Sequence, residues 1–289
     1  MDFGWTPEDQ AFRGEVRSFI RKTIPPNWDE MNLDEEEEEI YAQEFARKLL
    51  PTKWRIMHWP EAYGGLGYGA WRQLIFSEEV TYHRFPGAWD GGNMVVAPLL
   101  MHAGTEDQKR RFLGPIANAE YSWCQLFTEP ESGSDLASLR TRAVLTGDDY
   151  VVNGQKVFNT GAHLADWGLL ACRTDTEVPK HRGISFLLVD MKSPGVTVRP
   201  LINLTGAHAQ NEVFLEDVRV PKDHLVGREN EGWYLLVSAL SSERGGINRA
   251  TQAKRLLDDV AGFVAGTAYN GRPIGKRPEV RNRLAELAI

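Results

Sequence analysis

Residues 123–135 read WCQLFTEPESGSD, and at this stretch the chain changes from helical to β-like patterning. The β-like run from Trp123 to Phe127 leads into a turn, Thr128 to Asp135. That turn contains hydroxyl groups, a glycine and backbone N–H donors, which can together bind phosphates or a polar heterocycle. Taken alone, however, the turn is better explained as an ordinary loop.

The β-like patterning continues to about residue 228. Residues 150–152, Asn153-Gly154 and residues 155–158 predict a hairpin, because Asn-Gly supplies the positive φ angles of a tight turn. The other short β-like runs are Trp167 to Arg173, Ile184 to Val189, Val196 to Arg199 and Val213 to Val220. No helical pattern lies between these runs, which favours a barrel or sandwich over a doubly wound sheet.

Upstream of residue 121 the chain predicts helices. Thr6 can cap a helix that begins at Pro7, with acidic residues in its first turn. Thr105 and Gln108 form the sequence signature of a capping box. Residues 71–82 and 94–102 also suit helices.

The last stretch returns to helical patterning. Apolar residues have helical spacing from Gly232 to Gly266, residues 271–273 break the pattern, and a second helix starts near Pro278. Because two helices make only part of a bundle, we expect this domain to be truncated or completed by another chain. The predicted α+β architecture is therefore a helical domain (1–120), a middle β-domain, barrel or sandwich (121–228), and a partial C-terminal helical bundle (229–289).

The composition narrows the function classes. The chain has 40 acidic and 33 basic residues, and its net charge of −7 argues against nucleic-acid binding. The acidic run Glu35 to Glu39 indicates either a docking face or a solvated helix face or loop. Two distant cysteines without a CxxC motif fit a reducing compartment. With no signal peptide and no apolar run long enough to span a membrane, we expect a cytoplasmic protein.

Other chemistries find little support. Residues 65–70, GLGYGA, fit the dinucleotide fingerprint, but the preceding Trp59-Pro60 is unsuited to a buried strand, so a glycine-rich loop is the better interpretation. The seven histidines give no HxxxH pair, and we expect no metal site. Ser134-Asp135 has no histidine nominated to complete a hydrolytic triad.

Several short motifs are more informative as an ordered set than singly. They are WPEAYGG (59–65), TEPESGSD (128–135), NGQK (153–156), NTG (159–161), EDVRVP (216–221) and Glu243-Arg244. In order and spacing, from Phe3 onward, the chain resembles the acyl-CoA dehydrogenase family. The resemblance implies FAD bound between the β-domain and the C-terminal bundle.

The resemblance also implies roles for individual residues. Two segments would line the flavin, with the Thr128 hydroxyl at its pyrimidine end and the Thr160 hydroxyl near N5. The implied flavin residues are Gln125, Leu126, Phe127, Thr128, Gly133, Ser134, Phe158, Asn159 and Thr160. The family commonly has Trp where this chain has Phe158, and often Thr where it has Asn159. The ring contact of Phe158 would persist with less area.

For the substrate, the resemblance implies contacts of Ser134, His181 and Arg182 with CoA, of Ser241 with the acyl chain, and of Arg244 with flavin or substrate. The implied reaction removes an α-proton to a carboxylate while the β-hydrogen leaves as hydride. Most relatives carry that carboxylate in a region beyond this chain. The isovaleryl- and long-chain-specific enzymes place it before an Arg on the first bundle helix, where Glu243 stands.

Alternatives remain open at this point. Glu243-Arg244 also fits an ordinary helix-surface pair. The resemblance implies an acyl-CoA substrate, an electron-transfer flavoprotein partner and a homo- or hetero-oligomer. A non-catalytic subunit that needs an active partner, and a flavin oxidase or monooxygenase, are the other candidates. We expect the 289-residue chain alone to bind FAD weakly or not at all.

Overall fold

The computed structural model describes the backbone of residues 4–31, 33, 35–88, 90–243 and 247–289, and side chains there except at 30, 35, 36 and 238–243. The described chain forms two compact units. The first comprises residues 1–30, 68–85 and 245–289, and the second comprises residues 31–67 and 86–244.

The helices are α1 (Pro7–Thr23), α2 (Glu35–Leu49), α3 (Ala70–Tyr82), α4 (Ala97–Ala103), α5 (Glu106–Ala117), α6 (Gly232–Glu243), α7 (Ile247–Gly266) and α8 (Pro278–Ala288). The strands are β1 (Trp123–Leu126), β2 (Arg142–Thr146), β3 (Asp149–Lys156), β4 (Trp167–Arg173), β5 (Ile184–Asp190), β6 (Val196–Leu201), β7 (Gln210–Pro221), β8 (Leu225–Val226), β9 (Ala268–Tyr269) and β10 (Arg272–Pro273).

The first unit is mainly helical, and a buried carboxylate joins two of its helices, α1 and α3. Glu79 of α3 is 3% exposed and accepts hydrogen bonds from Arg13 and Arg17 of α1, at 3.0 Å from Arg13 Nη1 and 2.9 Å from Arg17 Nε. Burial alone raises the pKa of Glu79, but hydrogen bonds from His83, Arg17 and Arg13 outweigh it and lower that pKa to about 2. The α1–α3 pair therefore depends on a charged, fully satisfied Glu79.

The predicted helix starts are confirmed. In α1 the Thr6 hydroxyl accepts from Asp9 N at 3.1 Å, and the Asp9 carboxylate accepts from Thr6 N at 3.1 Å. In α5, of the second unit, Thr105 and Gln108 make the same reciprocal pair at 3.2 and 3.0 Å. Both helices therefore begin where local capping chemistry predicts.

The second unit is built on one mixed eight-stranded sheet. Its order is β6-β7-β3-β2-β4-β5-β8, and β1 pairs in parallel with β4 from outside that path. Every residue of β4 is buried. Trp167, Leu169 and Ala171 belong to a core shared with α4, α5 and α6, whereas Leu170 and Cys172 belong to a core shared with β3 and β7. One face of the central strand β4 therefore packs against helices. Its other face is buried against side chains of other strands of the same sheet.

The predicted hairpin at Asn153-Gly154 is wrong. These residues lie inside the single strand β3, where its pairing with β7 shifts register between Val152 and Gly154. The Asn153 amide exchanges hydrogen bonds with Asp217, at 2.9 Å to its carboxylate and 2.9 Å from its backbone N–H. Asn-Gly therefore forms a bulge here and not a turn, because the Asn153 amide makes two hydrogen bonds with Asp217 of the partner strand β7.

The remaining predicted strands are confirmed, with β6 and β7 extending beyond the predicted runs. The acidic run Glu35 to Glu39 begins α2. Residues Glu61–Tyr63 form a 3₁₀ turn ahead of the glycine-rich loop, in place of the strand that a dinucleotide fingerprint needs. In the last stretch, β9 and β10 form the break between α7 and α8.

We predict unequal costs for two glycine substitutions in turns of the sheet. Gly147 and Gly195 have φ of 68° and 89°, so Ala at either position adopts a left-handed backbone at a cost of about 1–2 kcal/mol. A Cβ at Gly195 would in addition lie 2.1 Å from Glu216 O, whereas at Gly147 nothing lies within 4 Å. Gly195→Ala should therefore lower the free energy of unfolding in urea clearly more than Gly147→Ala. Equal losses would contradict this packing.

Candidate active site

Two segments that are far apart in sequence meet at the end of β1. The Val157 N–H donates to Thr128 O at 2.9 Å, and the Asn159 side-chain amide donates to Gln125 O at 2.8 Å. These bonds join the end of β1 and the start of its turn to the residues that follow β3. The structure thus brings together the two segments that the motifs assign to the flavin.

A buried ion pair supports this junction from beneath. Lys156 is 0% exposed, and its ammonium donates to Glu129 Oε1 at 2.9 Å, Phe127 O at 3.0 Å and Ala171 O at 2.8 Å. All three donors of the ammonium are therefore used. The Glu129 carboxylate also accepts the backbone N–H groups of Arg140 at 2.6 Å and Thr141 at 2.8 Å. The start of the turn at 128–135 is consequently tied to the backbone of residues 140 and 141, which follow it.

The charge states of this pair follow from its surroundings. Burial alone would raise the pKa of the Glu129 carboxyl, but the Lys156 ammonium and the hydrogen bonds at the carboxylate outweigh burial and lower that pKa. Burial also lowers the pKa of the Lys156 ammonium, a shift that the Glu129 charge opposes. The three hydrogen bonds of the ammonium and the charge of its partner therefore both favour the ionised form of the pair.

Phe158 and Asn159 have the conformations of a binding segment. Phe158 has a left-handed backbone with φ of 59°, and the residue is 60% exposed. Asn159 is 2% exposed, and its Oδ1 has no hydrogen-bond partner among the described residues. A left-handed backbone at a bulky residue and a buried unpaired acceptor both cost free energy, and such features cluster at ligand sites.

Asn211 holds the segment around Asn159 in place, and the sequence analysis did not identify it as a site residue. It accepts from Asn159 N at 3.0 Å, and its amide donates to Asn159 O at 3.0 Å. The same amide contacts His163 Nδ1 at 3.1 Å and His208 Nε2 at 2.8 Å, and the two imidazoles stack with centroids 4.1 Å apart. Because amide nitrogen donates and amide oxygen accepts, His163 Nδ1 acts as acceptor and His208 Nε2 as donor.

The other predicted flavin residues differ in what they present. Leu126 and Phe127 have side chains buried in the two cores. Gln125 and Thr128 are half-buried. Gly133, Ser134 and Thr160 are exposed.

These residues fit a flavin. The isoalloxazine ring is flat, with an apolar end and a polar end that carries N–H and carbonyl groups. The segments present an exposed aromatic ring in Phe158, hydroxyls on Thr128 and Thr160, and the unpaired amide oxygen of Asn159. An apolar surface beside convergent polar groups is the usual makeup of a cofactor site.

The predicted CoA loop lies next to the turn. Residues Lys180–Arg182 form a 3₁₀ turn, and the Lys180 ammonium contacts the two Asp135 carboxylate oxygens at 2.7 and 2.8 Å. The His181 ring packs edge-on against Trp233 of α6 with centroids 4.7 Å apart, and Arg182 is exposed. Ser134 and this loop are thus brought together through Asp135.

Three predicted residues lie at or beyond the edge of the described structure. Ser241 and Glu243 belong to the last turn of α6, but their side chains are outside the described residues. Arg244 is outside them altogether. Their proposed roles therefore stay predictions.

Some chemistries have no structural support in the described part of the chain. Burial raises the pKa of the Cys124 and Cys172 thiols to about 12, so neither is a nucleophile. The described histidines, cysteines and carboxylates include no group of three or more that could hold a metal ion. No described helix is long and apolar enough to cross a membrane.

Comparison with known proteins agrees with this geometry. The acyl-CoA dehydrogenase N-terminal domain matches residues 6–120, and the acyl-CoA dehydrogenase middle domain matches residues 124–218. The acyl-CoA dehydrogenase FadE29 of Mycobacterium tuberculosis is 40% identical over 284 residues, which cover 98% of this chain and 72% of the relative.

Solved structures give the same result. The Tcur3481–Tcur3483 steroid ACAD has a TM-score of 0.86 at 32% identity, over 99% of this chain and 73% of the other. The ChsE4–ChsE5 complex of Mycobacterium tuberculosis has a TM-score of 0.88 at 33% identity, over 100% of this chain and 74% of the other. The chain therefore belongs to the acyl-CoA dehydrogenase family, whose members are FAD-dependent oxidoreductases. The family and the fold class predicted from the motifs are confirmed.

We predict that the buried Lys156 stabilises the fold far more than an exposed lysine does. Lys156→Met leaves the buried Glu129 unpaired and should cost about 3–5 kcal/mol of unfolding free energy. Lys156→Met/Glu129→Gln should recover part of that loss, because no charge remains buried. Lys192→Met, which removes an exposed 2.9 Å pair with Asp166, is the control and should cost less than about 1 kcal/mol. A small loss in Lys156→Met would contradict the assignment.

We also predict how the Glu129 contribution depends on pH. Because the folded-state pKa of Glu129 is below its ordinary value of 4.5, its charge stabilises the fold fully above that value. The stability difference between the wild type and Glu129→Gln should be constant near neutral pH and shrink as the pH falls below 4.5. Denaturant unfolding at several pH values measures it. A difference that grows on acidification would have the wrong sign.

Proposed function

We propose that this chain dehydrogenates the α,β carbon–carbon bond of an acyl-CoA thioester with FAD as its cofactor. The observation that carries the proposal is the joining of residues 125–128 to residues 157–159 by the Val157–Thr128 and Asn159–Gln125 hydrogen bonds. Those bonds hold an exposed aromatic ring and an unpaired buried acceptor at one site. Such a site supports a flavin in a chain of this family.

The residues around the flavin would orient it. Backbone groups of residues 125–128 and the Thr128 hydroxyl would bind its polar end, and the Phe158 ring would cover part of its surface. The Asn159 Oδ1 would accept a hydrogen bond from it, and the Thr160 hydroxyl, with Gly133 and Ser134, would complete the border. FAD, when bound, accepts the hydride that leaves the β-carbon.

The proton step needs a base. The α-proton of a thioester is weakly acidic, so a carboxylate whose pKa is raised toward the working pH by desolvation is the suitable acceptor. We assign this role to Glu243, at the end of α6. Arg244 would supply a positive charge near flavin or substrate, and Ser241 would face the acyl chain.

The proposal also covers the CoA contacts, the electron acceptor and the domain bounds. Ser134, His181 and Arg182 would contact CoA, and an electron-transfer flavoprotein would reoxidise the enzyme. The proposed domains are a helical domain (1–120), a β-domain (121–228) and C-terminal helices (229–289). Because one similar structure is described as a steroid ACAD, CoA thioesters of steroid side chains belong among the substrates to test.

A partner-dependent subunit is the second candidate. Two of the similar structures are described by pairs of names, ChsE4–ChsE5 and Tcur3481–Tcur3483. By analogy, this chain would assemble with a second, related chain. Co-purification with such a chain, together with wild-type turnover in Glu243→Ala, would favour this candidate over the first.

The test is a titration of the purified flavin-loaded protein, with any co-purifying partner, by acyl-CoAs of graded length and a steroid acyl-CoA. We expect anaerobic bleaching of the flavin absorbance by at least one thioester, and slow recovery with oxygen. No bleaching by any thioester would overturn the dehydrogenase assignment, and fast reoxidation by oxygen would indicate an oxidase.

The Glu243 assignment has its own readout within that titration. Glu243→Gln should retain flavin and bind acyl-CoA, but flavin reduction should slow by about 10²–10⁴-fold, the usual contribution of a general base. Glu286→Gln, at an exposed carboxylate of α8, is the control and should leave the rate unchanged. Wild-type reduction in Glu243→Gln would move the base to another residue or another chain.

A further inference from the structure

Two stacked histidines line a groove beside the segment that contains Asn159. The groove has a volume of about 910 Å³ and lies between α2 and the loops at 163–164 and 205–208. The rings of His163 and His208 stack with centroids 4.1 Å apart and planes at 24°. His163 is exposed and His208 is half-buried, so water in the groove can exchange protons with both rings. We call these two residues the histidine pair.

The side-chain amide of Asn211 connects the histidine pair to Asn159. Asn211 is 0% exposed, and its Nδ2 donates to Asn159 O at 3.0 Å. The same nitrogen contacts His163 Nδ1 at 3.1 Å, and Asn211 Oδ1 contacts His208 Nε2 at 2.8 Å. Because a carbonyl oxygen can only accept, Asn159 O fixes which way the amide points. Both amide hydrogens are then used, one on Asn159 and one on His163.

This network requires a neutral His163. Its Nδ1 accepts from the Asn211 amide, which a protonated nitrogen cannot do. His208 differs, because a ring that carries hydrogen on Nε2 donates to Asn211 Oδ1 whether it is neutral or charged. A proton on His163 therefore breaks the network, whereas a proton on His208 leaves it intact.

A rotation of the Asn211 amide cannot repair that loss. Turning the amide over would give the protonated His163 an acceptor, but it would place Oδ1 against Asn159 O, where two acceptors repel each other. The other donor to this carbonyl, the Ala162 N–H at 3.5 Å, is too distant to replace the amide. Protonation of His163 is thus transmitted to the backbone of Asn159, whose unpaired Oδ1 is the proposed flavin contact.

The charges around the histidine pair come from both sides of the groove. Glu38 and Glu39 of α2 are among its described lining residues. On the β-domain side, the carboxylates of Asp166 and Glu212 are each bonded to another side chain. Carboxylates favour a positive charge nearby, whereas a charge on either stacked ring disfavours a charge on the other. The two rings therefore titrate as a coupled pair.

We propose that Asn211 and His163 are positioning residues for the flavin, which hold Asn159 in place only while His163 is neutral, so that flavin binding weakens as the pH falls. This inference rests on the proposed function, because it takes Asn159 as a flavin contact. The neutral form of His163 makes the bond to Asn211, so flavin affinity is full above the pH range in which the histidine pair titrates and falls within it. Imidazoles ordinarily change charge at about pH 6.5.

The test measures the dissociation constant of FAD by flavin fluorescence, from about pH 8 to about pH 5.5, in the purified protein with any co-purifying partner. We expect the wild-type affinity to fall by about 10-fold over this range, the usual effect of losing a hydrogen bond at a buried group. His163→Asn presents an amide oxygen in place of Nδ1 and cannot be protonated. It should bind FAD as the wild type does at the upper end of the range and lose the pH dependence. His163→Ala should bind FAD weakly throughout.

Two further variants sharpen this result. His208→Gln keeps an N–H donor in place of Nε2 and removes the competing charge, so its loss of affinity should occur at higher pH than in the wild type. His102→Asn, at an exposed histidine of α4, is the matched control and should keep the wild-type response. A wild-type affinity that does not change with pH, or a wild-type response in His163→Asn, would overturn the proposal.

The proposal and the proposed function fail separately. Nitrogen NMR of histidine-labelled protein needs no flavin and should show His163 Nδ1 unprotonated at neutral pH, and a protonated Nδ1 there would overturn the proposal. A pH-dependent FAD affinity that His163→Asn abolishes, without flavin bleaching by any thioester, would support the role of His163 and overturn the dehydrogenase assignment. Bleaching by an acyl-CoA together with a pH-independent FAD affinity would do the reverse.

Discussion

The buried Lys156–Glu129 ion pair is the constraint on which the candidate site depends. The ammonium reaches the backbone of Phe127, directly after β1, and of β4 as well as the Glu129 carboxylate. That carboxylate in turn holds the backbone that leads into β2. A buried charge without a partner costs several kcal/mol, so the two residues keep each other and the adjoining turn in place. The turn at 128–135 can then expose its polar groups without collapsing onto the sheet.

In both segments of the candidate site, buried residues hold the backbone in place and exposed residues remain available to a ligand. Leu126 and Phe127 anchor their segment in the two cores, whereas the next residue, Thr128, is half-buried. On the other segment Phe158 is exposed. Asn211 anchors that second segment from within β7. A binding site needs a rigid backbone beneath its exposed side chains, and strands that are buried throughout, such as β4, supply it.

Local sequence signals predicted most of the secondary structure. The caps at Thr6 and Thr105 act within one turn of helix, and β4 and β5 are short apolar runs bounded by turn residues, so neighbours in sequence suffice to specify them. The motif spacing also identified the family. The error at Asn153-Gly154 has a tertiary cause, since Asp217 lies 64 residues away and turns an expected hairpin into a bulge.

By itself, then, the sequence determined most of the helices and strands and the family, because capping, periodicity and motif order are local or linear properties of the chain. Only the tertiary structure decided how the site is supported. Lys156 meets Glu129 across 27 residues and Asn211 meets Asn159 across 52, and the register of Arg142 beside Arg173 comes from the pairing of β2 with β4. Strand pairing of this kind depends on which surfaces bury one another, and no single segment of the chain contains that information.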